Sequence, residues 1–350
     1  MLVKDLTRAL VRFDTTNPPG DEQACAEFLS GLLESNGFEV KAHEFADRRT
    51  SLVARIGGGA TKPPICFSGH IDVVPLGAAT WNRDPFAGEI DGDQLYGRGS
   101  SDMKGGVAAM VVAATSLAPR LIGSPGVVLV ITAGEETGCV GATDLARHGL
   151  LGLAGAIVVG EPTANSPLVG HKGCFRFRCV STGTTSHSSM PELGDNAIYK
   201  AARVIGELER FQFDGDPHPV MGQPTLVVSQ VSGGMNINSV PDRAEICVDV
   251  RTVAGQDVEA LVQRLTDDIG HLASMEPLLE VPAILSEADN DWVRSVFANV
   301  ESVTGTVPEI RTAPYFTDGA ALREAYGGPP TLILGPGEPG MAHQTDEYCR

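Results

Sequence analysis

The stretch VVLVITAGEETG, residues 127–138, decides the fold. Its first half, Val127–Thr132, is a short unbroken apolar run between Gly126 and Gly134. A run of that length, rich in β-branched residues and bounded by glycine, reads as a strand buried on both faces, the kind that builds parallel sheets. Two adjacent carboxylates, Glu135 and Glu136, follow at once. Side by side after a buried strand they repel each other unless a cation or a proton separates them. A solvated pair opening a helix is the plain alternative.

Working outward, the runs ending at Ile65-Cys66-Phe67 and at Ala156–Val159 have the same character. Between them lie helical patterns over residues 22–36, stopped by Gly37 in the C-cap position, and over 106–118. Residues 1–20 read as an amphipathic helix and a turn, without the apolar core and cleavage site of a signal peptide. The first 165 residues or so thus alternate strands and helices, as a parallel sheet covered by helices does. After Glu161 the pattern changes. Residues 175–181, 225–231 and 244–251 alternate like half-exposed strands, and 196–211 and 257–272 carry helical periodicity. This predicts a smaller, ferredoxin-like α+β layer. From Pro282 the first style returns and ends in a strand over 331–334. The expected organisation is α/β and nested, with a catalytic domain from residues 1–170 and 283–350 and an inserted domain over 171–282.

Composition narrows the function. The 350 residues hold 26 basic and 44 acidic side chains, a net charge of −18, which removes the basic footprint that nucleic acid requires. No stretch approaches the ~18 apolar residues of a membrane-spanning helix, so no membrane partner is expected. The seven cysteines form no CxxC pair, which favours reduced thiols and a cytoplasmic setting.

Five short polar motifs follow apolar runs or open helices: SGHID (68–72), GSSDMKGG (99–106), GEETG (134–138), GEPT (160–163) and AHQTDE (342–347). In an open α/β sheet, functional groups gather at the carboxyl ends of the strands, and these motifs would be delivered there. Together they offer two imidazoles and several carboxylates, a mixture that suits zinc and similar metals. Any one of them alone is more simply a turn residue or a cap; the set is not.

With SGHIDVVP (68–75), WNRDPF (81–86), LYGRGSSDMKGG (95–106), HKG (171–173), TSHSS (185–189) and TLILGPG (331–337) added, essentially the whole chain resembles one family. It is the family of dinuclear zinc aminohydrolases that includes acetylornithine deacetylase, succinyl-diaminopimelate desuccinylase, aminoacylase and carboxypeptidase G. The resemblance implies a zinc-peptidase-like catalytic domain with a mixed, largely parallel sheet, plus an inserted dimerisation (lid) domain. It implies two divalent ions, zinc with cobalt or manganese as substitutes. His70 and Glu161 would hold one, Glu136 and His343 the other, and Asp102 would bridge both. Asp72 would hold the His70 imidazole in its metal-binding tautomer, and Glu135 would be the general base.

The resemblance further implies a homodimer in which His187, from the inserted domain of the partner subunit, donates to the tetrahedral oxyanion. Asn238, Arg251, Lys172 and Gly335 would touch substrate. An arginine fork suits a substrate carboxylate, although a sheet-edge salt bridge explains Arg251 equally well, and Gly335 also reads as a simple turn. His43, His148, His218 and His271 match no motif and read as ordinary surface or packing residues. Family members continue through a further helix, whereas this chain ends at Arg350, close after His343. The motifs look nearest to acetylornithine deacetylase and hence arginine biosynthesis. Desuccinylase or peptidase activity in the same family is the alternative, and a non-catalytic binding module is the remote one.

Overall fold

The computed structural model describes residues 1–58 and 62–350. Backbone contacts divide them into two compact units. One comprises Met1–Gly170, Leu285–Ala313 and Thr317–Arg350; the other comprises His171–Ile284 with Pro314–Phe316.

The first unit is built on a six-stranded sheet in the order Glu39–Ala46, Arg49–Ile56, Val127–Thr132, Ile65–His70, Ala156–Val159 and Thr331–Ile333. Arg49–Ile56 runs antiparallel to both its neighbours, and the last four strands are mutually parallel. The sheet is therefore mixed and largely parallel, with Val127–Thr132 inside it and nearly all its residues buried. Helices Gln23–Ser35 and Gly105–Leu121 pack on the strands. The second of these turns Val107, Ala108, Val111, Ala114 and Ala118 inward at helical spacing. It extends a turn beyond the apolar pattern, carrying Pro119 near its end. The amphipathic start forms the helix Val3–Val11, whose Leu6 and Leu10 join Leu29, Leu33, Val107, Leu129 and Ile131 in one core.

The second unit has the chain order strand, helix, two strands, helix, strand. Its sheet runs Thr225–Gly233, Arg243–Thr252, Gly173–Thr182, Ser274–Val281, antiparallel throughout, which is the ferredoxin-like order. Arg243–Thr252 alternates buried and half-exposed residues along its length. Helices Ala197–Arg210 and Val258–Ile269 fall within the segments of helical periodicity, and each begins at a side-chain cap. Asn196 Oδ1 accepts from the amides of Ile198 and Tyr199, and Asp257 Oδ1 from that of Ala260. Phe175, Phe177, Val204, Leu208, Ile246, Val248, Leu261 and Leu265 form its core. No sequence pattern marked Pro314–Phe316 as part of this unit. The Phe316 ring lies 5.6 and 5.7 Å from the guanidinium carbons of Arg176 and Arg251.

All seven cysteines are free. Among the described residues, no helix is long and apolar enough to cross a membrane.

Candidate metal centre

The four parallel strands deliver polar groups from one edge of the sheet. His70 is the last residue of Ile65–His70; Glu135 and Glu136 follow Val127–Thr132; Glu161 follows Ala156–Val159; Gly335 follows Thr331–Ile333. Asp102 comes from the tight segment Ser100–Lys104 that leads into the long helix.

Asp102 lies at the centre of the cluster. One of its oxygens is 3.3 Å from His70 Nε2, and the other is 3.4 Å from His343 Nε2. Glu161 Oε1 lies 3.8 Å from His70 Nε2, and Glu136 Oε2 lies 3.2 Å from His343 Nε2. The structure thus groups His70 with Glu161 and His343 with Glu136, one pair at each oxygen of the same carboxylate. Ligand atoms of His70, Asp102 and Glu136 all fall within 4.8 Å of one another. Asp102 Oδ1 and Glu136 Oε1 are buried with no hydrogen-bond partner. Buried carboxylate oxygens without donors call for cations. The donor set and the orphaned oxygens fit two divalent metal ions, typically zinc.

The electrostatics agree. Burial pushes the Glu135 and Glu161 carboxyls well above the usual range; His70 opposes this, and neighbouring carboxylates add to it. Glu136 is also raised, chiefly by burial, against its bond to His343. His70 is raised well above its ordinary value despite complete burial, because Asp102 and Asp72 hold its protonated form. Bonds to Asp102 and Glu136 push His343 up to about 10. Burial works against ionisation of Asp102 too, yet the two histidines hold it below the carboxylate range. Raised proton affinity at a cluster of buried carboxylates and imidazoles marks a place that a cation would also suit.

Asp72 orders the cluster from beneath. His70 Nδ1 lies 2.9 Å from the Asp72 carbonyl oxygen and 3.5 Å from its Oδ1. The Asp72 carboxylate accepts from the amides of Glu135 at 3.1 Å and Glu136 at 3.2 Å, and from Asn17 Nδ2 at 2.8 Å. One buried residue thus fixes both a histidine, chiefly through its carbonyl, and the two-glutamate turn, through its carboxylate. Glu135 itself is buried, with Cys139 Sγ 3.8 Å from Oε1.

Sequence reading gave no role to three groups that hold this geometry. Glu347 accepts from the amides of Gly99, Ser101 and Asp102 at 2.8–3.0 Å and from Arg98 Nη1 at 2.7 Å, which secures the Asp102 segment. Asn17 lies in the stretch that read only as a helix and a turn, and it donates to the Asp72 carboxylate. Asp318 is buried, accepts from Thr132 Oγ1, and is pushed up to about 6, mainly by burial. Nothing in the spacing could reveal Glu347, whose amide partners lie some 250 residues away in the chain.

Close backbone approach explains two glycines. A Cβ on Gly106 would sit 2.0 Å from the Gly160 carbonyl oxygen, and one on Gly335 would sit 2.2 Å from that atom and 2.5 Å from Glu161 O. Gly335 is therefore pressed against the backbone that carries Glu161, and it also exchanges hydrogen bonds with Thr163.

The remaining expected residues lie in the second unit. His187 is exposed, its Nδ1 2.7 Å from Ser189 Oγ. Asn238 is exposed, and its carbonyl accepts from the Ser188 amide. Arg251 is half-buried and bound to Asp249 at 2.6 and 3.2 Å. Lys172 donates to the Gln223 carbonyl, and burial lowers its pKa.

Against known proteins, a family model described as Peptidase family M20/M25/M40 matches residues 66–350. A probable succinyl-diaminopimelate desuccinylase of Staphylococcus epidermidis is 30% identical, over 97% of this chain and 91% of its own length. The succinyl-diaminopimelate desuccinylase of Wolbachia pipientis subsp. Culex pipiens is 34% identical over 76% of this chain and 68% of its own. Among solved structures, an M20 family metallo-carboxypeptidase from Sulfolobus solfataricus aligns with a TM-score of 0.82. It is 19% identical and the alignment covers 100% of this chain and 95% of that one. These relatives give no support to the expected closeness to acetylornithine deacetylase, or to a place in arginine biosynthesis.

Proposed function

The chain belongs to peptidase family M20/M25/M40, a family of metal-dependent amide hydrolases, and from that premise we propose that it removes the acyl group of an N-succinylated amino acid such as N-succinyl-diaminopimelate. The observation that carries the amide hydrolysis is the Asp102 carboxylate facing a His–Glu pair at each oxygen, with Glu135 beside it. The choice of acyl group rests on the curated relatives named as desuccinylases.

In this reading His70 and Glu161 would hold one ion and His343 and Glu136 the other, with Asp102 shared between the two pairs. When bound, the two ions supply Lewis acidity to the scissile carbonyl and lower the pKa of water. Asp72 keeps the His70 ring and the Glu135–Glu136 turn in place. Glu136 is committed to the cluster, which leaves Glu135 to take a proton from the attacking water and return it to the leaving amine. Burial favours that task by holding the proton affinity of Glu135 above that of an ordinary carboxylate. His187 of the partner subunit would donate to the developing oxyanion, and Arg251, Asn238, Lys172 and Gly335 would contact substrate. A cytoplasmic homodimer completes the proposal. The exposed edge strand Thr225–Gly233 offers unpaired backbone for pairing with a second copy.

The test is hydrolysis of N-succinyl-diaminopimelate, N-acetylornithine, other N-acyl amino acids and dipeptides, before and after chelation and with zinc restored. We expect the succinylated substrate to be cleaved fastest, the activity to vanish with chelator and to return with zinc. Preference for N-acetylornithine or for a peptide by zinc-loaded protein would overturn the substrate class. Sedimentation of an active monomer would remove both the dimer and the partner-supplied histidine.

A further inference from the structure

A second group of metal-ligating side chains lies apart from the Asp102 cluster in the sequence and in its partners. His43 stands on the edge strand Glu39–Ala46, and Asp144 and His148 are one turn apart at the end of the helix Val140–Arg147. His43 Nε2 is 2.6 Å from Asp144 Oδ2, and His148 Nδ1 is 3.3 Å from the same oxygen. One ligand atom from each of the three falls within 4.8 Å of the others. The imidazole rings are 5.0 Å apart at their centroids. From sequence alone His43 and His148 read as ordinary surface or packing residues; their convergence from segments about 100 residues apart shows only in the fold.

We propose that His43, Asp144 and His148 form a further binding site for a borderline divalent cation of the zinc class, structural rather than catalytic. Two imidazoles and one carboxylate are a donor set that zinc accepts in a tetrahedral arrangement, and partial exposure leaves the fourth position to water. The His43 and Asp144 side chains are 22% and 17% exposed, so the ion sits in a partly shielded notch. His148 is 53% exposed and occupies the cap position of its helix, so its ring can turn to offer either nitrogen. Without an ion, both rings compete for one carboxylate oxygen, and His148 Nδ1 also sits 3.0 Å from the Asp144 carbonyl. The nearest competing cation, Arg147, reaches Asp144 only at 3.8 Å and is 71% exposed. Such an exposed pair contributes little.

The location gives the site a consequence. Helix Val140–Arg147 follows directly on the Glu135–Glu136 turn, and its Gly141 packs against the Ala133 carbonyl. An ion at this site ties the outermost strand of the sheet to that helix and closes a long loop of chain, which stabilises the folded form.

The experiment is zinc titration of the metal-free full chain by dialysis at low micromolar zinc chloride, with metal counted by mass spectrometry and thermal denaturation followed in parallel. The wild type is expected to hold one zinc equivalent more than His148→Ala and one more than the His43→Ala, His148→Ala pair. Hydrolysis by zinc-loaded protein should be unchanged in both variants. The last increment of thermal stabilisation by zinc should be present only in the wild type. His148→Ala leaves the His43–Asp144 contact intact, so it guards against simple misfolding of the double variant. Equal zinc content in wild type and variants, or an extra equivalent that survives both substitutions, overturns the site. Because the readout is a difference of one equivalent, it stands whether or not the two main positions fill as proposed.

Discussion

The two units solve opposite problems with the same types of residue. In the first, His70, Asp72, Asp102, Glu135 and Glu161 are buried or nearly so and each is held by named partners, while apolar strands supply the frame. In the second, His187 and Asn238 are exposed, and Arg251 and Lys172 are engaged with groups of their own unit. Charge in the first unit is concentrated and needs cations; charge in the second is dispersed and satisfied locally. A buried, mutually constrained cluster declares its chemistry through geometry, whereas exposed loop residues such as His187 and Asn238 do so only in the presence of substrate.

The sharpest way to break this contrast is at Glu135. Glu135→Gln removes the proton acceptor with little change of shape, and turnover should fall by ~10²–10⁴-fold, the range of general-base catalysis. Zinc content measured on the same preparation should stay at the wild-type level; lost zinc would make Glu135 a ligand instead of a base. His187→Ala should cost ~10²–10³-fold in kcat if it donates to the oxyanion. Its zinc content and thermal stability should match wild type, because the exposed ring supports nothing in its own unit beyond Ser189. Normal turnover would leave His187 a surface residue.

Removing the ions probes the first unit alone. In chelator, Glu135, Glu136 and Glu161 have raised affinities for protons, and His343 reaches about 10. Groups whose folded pKa lies above the unfolded value stabilise the fold below the unfolded pKa and lose that contribution as pH rises through the folded one. Asp102 and Asp72, whose values are lowered, act in the opposite sense at acid pH. The metal-free protein should therefore lose thermal stability as pH rises from about 6.5 toward 10. The zinc-loaded protein should change far less over that window. Parallel curves would mean that cations do not replace protons in this cluster.

How much of this was legible in the sequence follows the same division. The buried strands announced themselves as apolar runs, and the helices Ala197–Arg210 and Val258–Ile269 through helical periodicity over 196–211 and 257–272, because these signals are local. His70, Glu136 and Glu161 were legible because they end or follow strands of a parallel sheet, whose ends converge, and Asp102 because it leads into a helix; His343 stood out only through its motif. What escaped was set by long-range contact. Glu347 meets the amides of residues 99–102 only after folding, Phe316 joins the second unit through two arginines, and His43 meets Asp144 across two elements. Gly335 read as a substrate neighbour, with a simple turn as the alternative; the fold shows backbone pressed on backbone beside Glu161.

Glu347 tests whether such hidden support is as consequential as the cluster it steadies. Its carboxylate gathers three backbone amides and the buried Arg98 guanidinium, which also donates to the carbonyls of Pro75 and Gln344. Glu347→Gln keeps the size but removes the charge opposite Arg98 and turns an NH2 group toward donors. Breaking a buried ion pair from one side typically costs ~3–5 kcal/mol. Because Gln retains one accepting oxygen, the expected loss lies at the lower end of that range, read by denaturant unfolding. Slackening the Asp102 segment should also weaken zinc binding by ~10–100-fold, as loss of a partner behind a ligand does. With zinc saturating, kcat should recover to within a few-fold of wild type, because Glu347 touches neither water nor substrate in the proposed reaction. A kcat that stays low at full zinc occupancy would place Glu347 in the chemistry and erase the distinction between the groups that react and the groups that hold them.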